Sequence, residues 1–93
     1  MQCFSIIGAN IPGQFIGKAP KAGFHLFRTE DVATEFPIEE FNWACGAERA
    51  DSAGSDIISS SLGYGYAFSD PVPDYPYSDL NGDITMSARA ADL

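Results

Sequence analysis

Apolar positions along the chain fall into short runs separated by Gly, Pro and small polar residues, and each run is too brief for a long amphipathic element. Cys3-Phe4-Ser5-Ile6-Ile7 reads as a short strand, closed by Gly8 and by the Ile11-Pro12-Gly13 turn, with residues 14–18 as its hairpin partner. Phe24-His25-Leu26-Phe27-Arg28 is a third strand candidate, because it is aromatic-rich and bordered by Pro20 and Gly23. In residues 61–68 the alternation is strict: Leu62, Tyr64, Tyr66 and Phe68 share one face, while Ser61, Gly63, Gly65 and Ala67 share the other. Such a bare face admits a second backbone or a flat surface, or simply faces solvent; both readings stay open.

Helical periodicity is confined to one place. Thr29-Glu30-Asp31 carries the cap and first-turn acids of a helix start, but Pro37 interrupts it. Proline is well suited to the first position of a helix, so a helix is expected over residues 37–45, with Glu39 and Glu40 in its first turn. Ile38, Phe41 and Cys45, spaced by three and four, form its apolar face, and Gly46 is the expected stop. Residues 47–60, rich in Ala, Ser, Gly and Asp, read as a loop.

Asp70-Pro71-Val72-Pro73-Asp74-Tyr75-Pro76-Tyr77 cannot be helical, since its three prolines remove donors and fix the backbone, so it is expected to run extended. A segment of this kind either lies across a neighbour or wraps its own domain. One or two helical turns, capped by Asp83, are expected after Asn81-Gly82. Together these elements predict an α+β fold: a small antiparallel sheet packed on one or two short helices, with an extended Pro/Tyr-rich C-terminal segment. The domain occupies residues 1–69 and the acidic segment residues 70–93.

Length and charge narrow the function classes. A chain of 93 residues holds one core at most, and 45% hydrophobic content with 19% charged residues is globular rather than disordered. The net charge of -8 is unevenly laid out. Residues 1–28 hold Lys18, Lys21 and Arg28 and no acid; all thirteen acids follow, opposed only by Arg49 and Arg89. The two parts either complement each other within the fold or grip partner surfaces of opposite sign. So acidic a chain is poorly suited to phosphate contacts, which excludes direct nucleic-acid binding. No secretory signal is recognised, and the longest uncharged run, broken by Gln2, Asn10, Pro12 and Gln14, is no transmembrane segment.

Candidate chemistry is sparse. Asp79, Asn81 and Asp83 alternate as in the opening of an EF-hand loop, but Ile84 stands where its glycine belongs and Ala90 where its bidentate acid belongs, and a turn on Asn81-Gly82 explains the same residues. Cys45 and His25 supply the types for a thiol nucleophile and base, although Cys45 on an apolar helix face reads as a buried, inert thiol. Cys3, Cys45 and His25 cannot by themselves close a zinc site. The sequence therefore predicts no catalytic residue, metal or cofactor. It predicts a non-catalytic accessory subunit docking on a larger protein assembly through extended segments, with Tyr64, Tyr66, Tyr75, Tyr77, Lys18 and Lys21 as partner-binding residues. The alternative is a small acidic inhibitor whose Glu30, Asp31, Glu35, Glu39, Glu40, Glu48 and Asp51 imitate nucleic-acid phosphates.

Overall fold

The computed structural model describes residues 2–92 and shows a small α+β fold: helix α1 (Gln2–Gly8), strands β1 (Asn10–Ile11) and β2 (Phe15–Ile16), helix α2 (Ile38–Ser52), one 3-10 turn (Tyr77–Asp79) and helix α3 (Met86–Ala91). The two strands form an antiparallel hairpin with Asn10 opposite Ile16 and Ile11 opposite Phe15. No helix among the described residues is long and apolar enough to cross a membrane.

The first expected strand is instead α1. Seven residues are too few to hold a helix by propensity, so its stability must come from its neighbours. They are in place: the carbonyls of Ile6 and Ile7, left open at the helix end, accept the amides of Lys18 and Ala19 at 3.2 and 2.8 Å. Phe4 stacks edge-to-face on Phe24, 4.9 Å between centroids. The chain after β2 thus passes close over the end of α1, and a Cβ at buried Gly17 would run into the Ile7 carbonyl. Gly17→Ala should therefore cost about 1–3 kcal/mol of local stability, read as faster amide exchange at Lys18 and Ala19.

The residues after β2 depart further from the expected sheet. Residues 22–30 form no strand, since no second strand lies beside them; they cross α2 instead, with Phe27 and Thr29 against Gly46. Gly46 accordingly sits inside α2 as a crossing point and does not stop the helix, which runs on to Ser52 through the first part of the expected loop. Thr29 starts no helix either. Asp31 closes a turn on itself, its carboxylate accepting the Ala33 amide at 3.1 Å, while its own amide goes to Glu39 Oε1 at 2.8 Å.

Residues 61–68 also form no strand, although their alternation is the strictest in the chain. Gly65 has φ 148° and Ala67 φ 62°, which break the pleat. The break lets the chain fold onto itself: Gly65 lies against the Leu80 side chain and its carbonyl accepts the Tyr75 amide at 3.0 Å. Phe68 and Tyr75 stack edge-to-face, and the Phe68 amide donates to Asp74 at 3.0 Å. Residues 70–76 carry no regular structure, and α3 beyond them packs on α2.

Candidate functional site

α2 is turned inside out relative to its apolar pattern. Ile38, Phe41 and Cys45, the expected buried face, are exposed, with Phe41 at 51%. The buried positions are Ala50 and two acids, Glu39 and Glu40, at 3% and 1% exposure. Burying a carboxylate without full hydrogen bonding is costly. What each acid touches therefore matters more than any other contact in the molecule.

Glu40 reaches across to α3. Its Oε2 accepts the Ser87 amide at 3.1 Å and the Ser87 hydroxyl at 2.8 Å. Ser87 is the second residue of α3, whose own N-cap, Thr85, makes no side-chain cap bond. Glu40 thus does from α2 what a capping side chain normally does within its own helix. Its Oε1 has no partner. Burial first, and then the nearby Glu40 carboxylate as hydrogen-bond acceptor and as charge, push the Tyr75 hydroxyl pKa up. Beside this junction an open groove of about 360 Å³ is lined by Trp43, Leu62, Tyr64, Leu80, Ala88 and Ala91 among others, and the Trp43 indole donates to Ser60 at 2.8 Å.

Glu39 points the other way, into a carboxylate cluster. One oxygen from each of Glu30, Glu35 and Glu39 lies within 4.8 Å of the others. The Tyr64 hydroxyl donates to Glu30 Oε1, and burial followed by that bond pushes its pKa up beyond the ordinary phenolic range. Burial raises the Glu35 pKa, and the nearby Glu39 and Glu30 charges raise it further. Glu39 Oε1 is satisfied by the Asp31 amide, but Oε2 is buried and has no partner. An open cleft of about 420 Å³ runs alongside, lined by Arg28, Glu30, Asp31, Phe36, Glu39 and Asn42 among others.

The sequence groups Glu30, Glu35 and Glu39 only within the seven-acid phosphate-like array and does not set these three apart. Its only hint is Glu35 and Glu39, four apart across Pro37, in a chain with far more acids than bases. Glu30 joins them through tertiary packing alone.

The expected partner-binding residues separate into two groups. Tyr66 and Tyr77 stand open, the latter at 91% exposure, as do Lys18 and Lys21. Tyr64 and Tyr75 are half-buried on their own chain, at Glu30 and Phe68 respectively. His25 is exposed, and Cys45 is exposed rather than buried as its helix face implied. Asn81 Oδ1 accepts the Asp83 amide at 2.9 Å, closing a turn around Gly82, whose φ is 93°. Of the seven acids considered as a phosphate-like array, Glu39 and Glu40 face inward and Glu30 and Glu35 are half-buried. Comparison with family models, curated proteins and solved structures finds no match for the chain.

Proposed function

We propose that this chain is a non-catalytic accessory or structural subunit that fastens onto a larger protein assembly. The carrying observation is the surface it leaves open. Its accessible area is 7231 Å², against about 5,200 Å² for a compact monomer of this mass. Its radius of gyration is 15.6 Å, where about 12 Å is usual for its length. The surplus of about 2,000 Å² is the area one partner contributes to a large permanent interface.

Much of the exposed surface is apolar. Ile6, Ile11, Phe15 and Ile16 are exposed on α1 and the hairpin, and Ile38 and Phe41 on the outer face of α2. Among the described residues, the buried hydrophobic ones are Ala50 and Phe68 alone. A monomer gains nothing from that arrangement, whereas a subunit gains the hydrophobic term on docking. The support lies in these surfaces more than in the Pro/Tyr stretch, because Asp74 and Tyr75 bind residues 65–68 of the same chain. Inward-facing Glu39 and Glu40 also favour a subunit over a phosphate mimic, which needs its acids in solvent.

Native mass measurement in an extract of the source organism tests the reading. The protein should migrate in a particle several times larger than its own 10.0 kDa. Migration as a free, protease-resistant 10.0 kDa species would overturn it.

A further inference from the structure

We infer that Glu30, Glu35 and Glu39 form a binding site for a hard divalent cation, with calcium the best fit. Three observations converge. The first is geometric. Oxygens bound to one calcium ion at about 2.3–2.6 Å can stand no more than about 5 Å apart. The three carboxylate oxygens lie within 4.8 Å of one another. Magnesium, at about 2.0–2.1 Å, demands closer and more regular ligands.

The second observation is the orphaned oxygen. Glu39 is 3% exposed and its carboxylate reaches the other two, yet Oε2 has no hydrogen-bond partner. Buried carboxylate oxygens are rarely left so, because the desolvation they suffer is not offset. Among the described residues, the donors to these carboxylates are the Tyr64 hydroxyl and the Asp31 amide, and no Lys or Arg side chain donates to them. A cation between the three would supply the missing partner and neutralise three charges that otherwise repel.

The third observation is access. The 420 Å³ cleft is lined by both Glu30 and Glu39, so a hydrated ion reaches the site and keeps water in its remaining coordination positions. Glu30 and Glu35 lie outside regular structure, and Glu39 in the first turn of α2. Ligands drawn from loops suit the adaptable coordination of calcium better than the strict octahedron of magnesium. Oxygen-only donors exclude a preference for softer metals.

Terbium titration of the full chain tests the site directly, since terbium replaces calcium on oxygen ligands and Tyr64, bonded to Glu30, sensitises its emission. Emission should rise on terbium addition and fall when calcium competes. Glu35→Gln, which alters a half-buried carboxyl, should weaken binding about tenfold or more. Glu39→Gln should do the same, and circular dichroism shows whether each variant is folded. An Asp79→Asn/Asp83→Asn protein should bind as tightly as the wild type. The inference is overturned if terbium emission and thermal midpoint are unmoved by the ions. It is equally overturned if the folded Glu35→Gln protein binds as well as the wild type, or if the Asp79→Asn/Asp83→Asn protein is the one that loses binding.

Discussion

Replacing Glu40 with alanine should loosen α3 from α2 and cost about 1–3 kcal/mol, a large share of what so small a core supplies. The alanine side chain leaves the Ser87 amide and hydroxyl without their acceptor. An uncapped second residue costs a short helix about 1 kcal/mol, and hydrogen bonds to a charged group are worth more than neutral ones. Partly offsetting this, the variant no longer buries a charge with an unpartnered oxygen. Glu40→Gln separates the two effects. Its amide oxygen can still accept from Ser87, and the buried charge is gone, so its stability should match or exceed that of the wild type. Chemical denaturation followed by Trp43 emission reads both, because Trp43 lines the α2–α3 groove and meets solvent when α3 leaves. If Glu40→Ala unfolds with an unchanged midpoint, the cross-helix cap contributes nothing.

The second large effect concerns association. Phe41→Glu should leave the isolated chain within about 0.5 kcal/mol of the wild type, because the ring is already half in solvent. Its effect on docking should be at least about 2 kcal/mol, or roughly thirtyfold in affinity, as for an aromatic anchor at an interface centre. Ile38 and Cys45 flank it on the same outer face. The exposed Cys45 thiol gives an independent readout: alkylation should be rapid in the free chain and slow in the assembly. A Phe41→Glu protein that still co-migrates with the native particle would place the contact elsewhere on the surface.

These two residues also show where sequence reasoning succeeds and where it stops. Pro37, Glu39 and Glu40 mark the start of α2 because proline and first-turn acids act locally, through backbone geometry and the helix dipole. The apolar spacing of Ile38, Phe41 and Cys45 is equally visible, but periodicity reports that a stripe exists and not what covers it. Strand patterns fail for a related reason. A strand is stabilised by its neighbour, and residues 24–28 have none, while residues 62–68 satisfy their backbone partly through Tyr75 and Asp74. A short, mostly apolar run such as residues 3–7 is compatible with helix or strand, and the tertiary contacts from Lys18, Ala19 and Phe24 favour the helix. The acid cluster is hidden in the same way: Glu35 and Glu39 are near in sequence, but Glu30 joins them only through the fold.

Glu35 and Ser69 exchange two bonds, the Glu35 amide to Ser69 Oγ at 2.9 Å and the Ser69 amide to the Glu35 carbonyl at 2.8 Å. With Tyr64 on Glu30 and Ser87 on Glu40, this stitches residues 64–87 to residues 30–40 at three places. The exposed stretch 56–63 between them, tethered through Ser60 to Trp43, therefore serves mainly as a leash. Cleavage within it should leave two polypeptides held by these three contacts, and size-exclusion chromatography of the nicked protein would show whether they stay together.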